Sequence, residues 1–142
     1  MVRKGSWSFH IMDYQAIVQL FIACVLGVLM VEAAELDQTI HEQRDGLLQN
    51  AEDMVAHGGM GDAKAIIHHC EKAVRHAESL IKQVSVSHPD REDTVVPLNE
   101  VIRHCKRVSE IGAQADPGVL LNPAIKARAA ARSAIRSLRG IQ

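Results

Sequence analysis

The chain has 142 residues, enough for one domain with a modest core, and a formal net charge of −1. That balance sets up no global field for nucleic acid or acidic lipid. Trp7, Phe9, Tyr14 and Phe21 are its only aromatic residues other than histidine. The sequence beyond them has none to line a ligand cleft or to stack on a nucleobase.

The N-terminal segment reads as a signal peptide. Arg3 and Lys4 form a basic region, and Ala16 to Val31 (AIVQLFIACVLGVLMV) is an apolar run of 16 residues broken only by Gln19. Val31-Glu32-Ala33 supplies the −3 and −1 positions for cleavage after Ala33. The run is shorter than the about 20 residues of a membrane span, so no stable membrane insertion is expected after cleavage. Phe21-Ile22-Ala23-Cys24 is a poor lipobox. The expected destination is the periplasm or the cell exterior. Cys70 and Cys105 are then the mature cysteines, in an oxidising compartment where an even pair can bridge.

Four amphipathic segments follow. The first, about 36–56, places Leu36, Ile40, Leu47, Ala51 and Met54/Val55 at helical spacing, and His57-Gly58-Gly59 closes it. The second, about 62–84, opens on Asp62 as N-cap and carries a seam of Ile66, Cys70, Ala73, Ala77, Leu80 and Val84. Ser85 to Asp93 is polar, contains Pro89 and reads as the longest loop. The third, about 94–111, tolerates Pro97 only in its first turn; Leu98, Val101/Ile102, Cys105 and Val108 form its seam, and Gly112 stops it. The fourth, about 117–139, begins at Asp116-Pro117 or at Asn122-Pro123, each an N-cap followed by proline. Ile125, Ala131, Ile135 and Leu138 point inward from it.

Four helices with short connections predict an all-α, antiparallel up-down-up-down four-helix bundle. The charges agree. The first segment holds Glu35, Asp37, Glu42, Asp45, Glu52 and Asp53 against Arg44, whereas the fourth holds Lys126, Arg128, Arg132, Arg136 and Arg139 with no acid. In such a bundle these helices are neighbours, so the opposite charges can face each other. A phosphate or acidic-lipid surface is the other reading of the arginine stripe.

Imidazole and thiolate suit soft and borderline transition metals, and both are concentrated here. His57 ends the first helix, His68, His69 and His76 lie on the second, and His104 on the third. His69 and His76 are seven residues apart, hence on one flank but about 10 Å from each other. They cannot share an ion, and each needs a partner from another helix. His68 is expected to face water. Asp37, His41 and Asp45 sit at i, i+4 and i+8, a weaker candidate set. Ile67-His68-His69-Cys70 is echoed by Ile102-Arg103-His104-Cys105. Across a hairpin Cys70 and Cys105 fall nearly level, offset by about 4–5 Å. Three readings stay open for them: buried free thiols, a helix-to-helix disulfide, or a Cu(I) site of two thiolates helped by His69 or His104.

Nothing marks an enzyme. There is no Gly-rich phosphate loop, no nucleophile elbow and no His-Glu-x-x-His, and no Glu precedes a His by three as a di-iron bundle requires.

Three phrases carry a resemblance: Ala51-Glu52-x-x-Val55-Ala56-His57-Gly58, then Ile66-Ile67-x-His69 through His76-Ala77, then Ile102-x-His104 through Gly112. Over about Ile40 to Arg139 the chain resembles the small metal-binding proteins, exported histidine-rich four-helix bundles that bind copper and other divalent metals. The resemblance implies metal sequestration or buffering in the periplasm, without catalysis. His57, His69, His76 and His104 fall on family histidines. Ile111 stands where the third helix would carry another, the fourth helix has none, and Cys70 and Cys105 are additions.

The expectation is therefore an exported bundle, monomeric or weakly associating, that binds a transition metal, copper first and zinc or nickel next, and no nucleic acid. Its candidate ligands are His57, His69, His76 and His104, with Cys70 and Cys105 as extra ligands and His41 as a weaker one. The rival is a structural or interaction bundle with a Cys70–Cys105 disulfide and a basic, partner-binding fourth helix.

Overall fold

Asp62 lies between two helices and caps the second, its Oδ1 accepting the Ala65 backbone N–H at 2.9 Å. The computed structural model describes residues 38–87 and 91–139, and for Ser87 the backbone alone. The expected signal peptide, Leu36, Asp37 and His88 fall outside these residues. Among the described residues there are four helices and no strand: α1 over 38–59, α2 over Ala63–Ser87, α3 over Glu92–Ile111 and α4 over Pro117–Arg139. None is long and apolar enough to cross a membrane.

The helix ends follow from local chemistry. α1 runs past His57 to residue 59, and the reversal comes at Gly61, whose φ of 78° needs a glycine. The His57 carbonyl accepts from the N–H groups of Met60 at 3.1 Å and Asp62 at 3.0 Å. Gly58 serves packing instead: a Cβ there would lie 2.6 Å from Leu121 Cδ1 on α4. α2 continues beyond Val84 to Ser87. The first residue that opposes a helix is the one before Pro89, where the proline ring disfavours the α conformation, so Ser85 to Ser87 are free to extend it.

α3 begins at Glu92 rather than near Thr94, which moves Pro97 out of the first turn and into the helix. Proline has no N–H for the carbonyl four residues back, here that of Asp93. The Ser137 hydroxyl of α4 donates to this orphaned oxygen at 3.2 Å. Glu92 and Asp93 in the first turn suit the positive end of the helix dipole. Gly112, at φ 80°, ends α3 with its N–H on the Val108 carbonyl. α4 starts at Pro117, with Asp116 Oδ1 accepting the Gly118 N–H at 2.7 Å; Pro123 lies inside the helix and is buried.

The core is the seam expected on α2, with Ile66, Cys70, Ala73, Ala77 and Leu80 fully enclosed. It meets Leu47, Ala51 and Met54 of α1 and Leu98, Val101, Cys105 and Val108 of α3. On α4 the inward residues are Leu120 and Leu138 with Ala124, Ala127, Ala131 and Ala134 between them, and Ile135 is also buried. Ile125, expected inside, is 42% exposed, because that alanine ladder turns the neighbouring position outward. Small side chains on α4 let it pack closely, more extensively on α3 than on α2.

Contacts between helices set which residues face each other. Gln43 bonds His76, Asn50 bonds His69, and Met54 meets Cys70. α4 meets α1 at Gly58, which faces Leu121, and at Glu52, which faces Arg128 and Arg132. The expected facing of the acidic first and basic fourth helices is realised at Glu52, which takes Arg132 at 2.6 Å and Arg128 at 3.5 Å.

Candidate metal centre

His57 and His69 are 12 positions apart in sequence and adjacent in space. Their rings stack with centroids 5.1 Å apart and planes 13° from parallel. α1 brings two polar side chains to the same place: Asn50 Oδ1 lies 3.0 Å from His69 Nδ1, and Asp53 Oδ2 lies 4.0 Å from it. Asn50 is itself nearly buried, and its Nδ2 donates to the Gly46 carbonyl at 2.8 Å. With the amide nitrogen committed, the amide oxygen faces the ring. His69 Nδ1 therefore carries a proton and donates it, and the lone pair of the neutral ring sits on Nε2.

His76, two turns further along α2, repeats the arrangement with different parts. Its Nδ1 lies 2.8 Å from Gln43 Oε1 and donates to it. The ring lies over Gly46, where a Cβ would be 2.5 Å from His76 Cε1. A histidine that donates one ring N–H to a fixed acceptor is oriented to ligate through the other nitrogen, the usual support of a metal-bound imidazole. Burial lowers the pKa of both His69 and His76; Asp53 opposes the shift at His69, while Arg75 and Lys72 add to it at His76. Both rings are thereby held neutral, the form that binds metal.

His104 stands apart. Its Nε2 lies 3.1 Å from an Arg103 nitrogen and 3.4 Å from Glu100 Oε2, and it shares a cleft between α3 and α4 with Arg107 and Lys126. Burial lowers its pKa, helped by Arg103 and Lys126. The surrounding guanidinium and ammonium groups make this a poorer seat for a cation than His69 or His76. His41 is exposed near the start of α1, with an Arg44 nitrogen 2.9 Å from its Nδ1. Asp45, its expected companion, pairs with Arg44. His68 is exposed, as its place off the α2 seam requires.

Cys70 and Cys105 are both buried and both free thiols, so the disulfide reading does not describe this structure. The neighbouring Cys70 thiol and burial push the Cys105 thiol far above its usual range. Neither His69 nor His104 reaches them as a third donor, because one is bonded to Asn50 and the other lies against Arg103. Cys70 donates instead to Met54 Sδ at 3.6 Å. Among the described residues no three His, Cys, Asp or Glu side chains come together closely enough to hold one ion.

The model of the small metal-binding protein family matches residues 14–140. The chain belongs to this family. No curated protein and no solved structure matches it. Within the family frame, the histidines at 57, 69 and 76 lie along the α1–α2 hairpin, and that at 104 lies on the opposite helix pair.

Sequence reasoning overlooked Gln43, Gly46 and Asn50, the residues of α1 that position the histidines. Gly46 did carry a signal. A glycine inside a strong helical pattern costs about 1 kcal/mol against alanine and so points to a packing role. Gln43 and Asn50 carried none, since a polar residue on an amphipathic helix reads as a solvated one.

Proposed function

We propose that the protein is exported to the periplasm or the cell exterior and there sequesters or buffers a transition metal, copper first and zinc or nickel next, without catalysing a reaction. The bundle is read as antiparallel and up-down-up-down, acting as a monomer. The observation that carries the proposal is the paired support of His69 by Asn50 and of His76 by Gln43, which leaves two neutral imidazoles with Nε2 available. His57, stacked on His69, is the nearest second imidazole. His104 and His41 are secondary, being crowded by Arg103 and Arg44.

With no three His, Cys, Asp or Glu side chains converging among the described residues, an ion at His69 or His76 keeps water in its remaining positions. That is an open, exchangeable site, unlike the closed tetrahedral sites that hold structural zinc, and it suits a buffer. The rival reading, a partner-binding bundle, loses part of its support because Glu52 already takes Arg128 and Arg132.

Isothermal titration with Cu(II), Zn(II) and Ni(II) tests the proposal. Binding tighter than about 0.1 mM, or about −5.5 kcal/mol, is expected, and weaker when His57 and His69 are both replaced by alanine. If no metal binds more tightly than that threshold, the reading is wrong.

A further inference from the structure

Three sulfur atoms meet inside the bundle, one from each of three helices. Met54 comes from α1, Cys70 from α2 and Cys105 from α3, and none is more than 1% exposed. Met54 Sδ and Cys70 Sγ are 3.6 Å apart, and the Cys105 thiol interacts with that of Cys70. The neighbouring histidines are committed elsewhere, His69 to Asn50 and His104 to Glu100 and Arg103. We infer that Met54, Cys70 and Cys105 form an all-sulfur site for a soft monovalent ion, Cu(I) first, separate from the histidine sites on the α1–α2 hairpin.

The donor set decides the ion. Thiolates and a thioether select Cu(I), whereas Ca²⁺ and Mg²⁺ need oxygen, and Zn²⁺ at a closed site takes four ligands. The spacing agrees. An ion about 2.3 Å from each sulfur in a trigonal plane separates the sulfurs by about 4 Å, so the observed 3.6 Å between Met54 and Cys70 opens by only a few tenths of an ångström. Binding forms metal–sulfur bonds and releases one proton to solvent for each thiol that ligates as thiolate. The ion enters as Cu(I), so no electron is transferred. A single thiolate leaves the loaded centre neutral, the state a buried apolar site tolerates best. Methionine is the flexible member, able to shift its sulfur without moving the helix.

The test is an anaerobic titration of the purified protein with Cu(I), in competition with a chromophoric Cu(I) chelator. One Cu(I) per chain is expected to leave the chelator, with near-ultraviolet thiolate-to-copper bands and an X-ray absorption first shell of sulfur alone. Met54→Leu keeps the volume of the core and removes one donor. It is expected to weaken Cu(I) binding by roughly tenfold or more while leaving Cu(II) uptake unchanged. Cys70→Ala is expected to act in the same direction, and Met54→Leu still decides the matter where that variant fails to fold. The inference is overturned by failure to take Cu(I) from the chelator, by unaltered Cu(I) affinity in Met54→Leu, or by nitrogen in the first shell. Loss of Cu(I) binding when His57 and His69 are both replaced by alanine overturns it too. A protein that takes Cu(I) but no divalent metal sinks the histidine proposal and leaves this one standing.

Discussion

Gly46 is the floor on which His76 lies: a Cβ added there would sit 2.5 Å from Cε1 and 2.7 Å from Nε2 of the ring. Gly46→Ala sets two effects against each other. Alanine improves the helix by about 1 kcal/mol, but the His76 ring must swing away and give up Gln43. The net stability change is expected to be small, within about 1 kcal/mol either way. His76 is the sensitive reporter. Once it leaves its half-buried seat, its pKa is expected to rise toward 6.5, the value from which burial lowers it, and NMR titration of that ring reads the shift directly.

Asn50 is expected to matter twice. Asn50→Ala removes the acceptor for His69 Nδ1–H and the donor to the Gly46 carbonyl. Leaving a half-buried N–H unpaired costs about 1–3 kcal/mol, which urea denaturation measures. Loss of the group that orients a ligating histidine is expected to lower metal affinity at His69 by roughly 10- to 100-fold. A variant that loses stability but keeps full affinity separates Asn50 from the metal.

Glu52 ties α1 to α4 through Arg128 and Arg132, all three partly exposed. Partly exposed ion pairs contribute little each, and Glu52→Ala is expected to cost about 0.5–1 kcal/mol in low salt. That cost shrinks in about 1 M salt, where the Debye length is near 3 Å. Equal unfolding midpoints for variant and parent in low salt rule the tie out as a contributor.

Acid is expected to weaken the fold through the histidines. His69, His76 and His104 all have pKa values lowered from 6.5, burial being the largest cause in each. An unfolded chain returns them to the ordinary value. Between the lowered folded values and 6.5 the unfolded state therefore binds more protons, and stability rises with pH there. The contribution is intact above 6.5 and is lost as pH falls through it toward the folded values. Urea midpoints are expected to be lower at about pH 5.5 than at about pH 7.5, and replacing His69 and His76 by glutamine is expected to flatten the slope. Metal affinity falls in the same direction, since a protonated imidazole has no lone pair to give.

The four helices were legible because each writes its own inward face at 3- and 4-residue spacing, and the α2 seam from Ile66 to Val84 is the clearest case. Asp62, Gly112 and Asp116-Pro117 likewise act within their own turns. Where local signals competed, the packed chain chose. α1 passed its histidine-glycine stop, Pro97 was accepted inside α3 because Ser137 answers Asp93, and Ile125 turned outward beside the alanines of α4.

By itself the sequence determined which residues share a helix face, and therefore that His69 and His76 lie about two turns apart and cannot hold one ion together. Only the tertiary structure decided what each one meets. Asn50 with His69, Gln43 with His76, His57 over His69 and Met54 beside Cys70 are all contacts between helices. Their register depends on where the Gly61 turn closes and how far the small side chains let the helices approach. Spacing along one helix fixes direction, but distance between two helices is a property of the whole packed core.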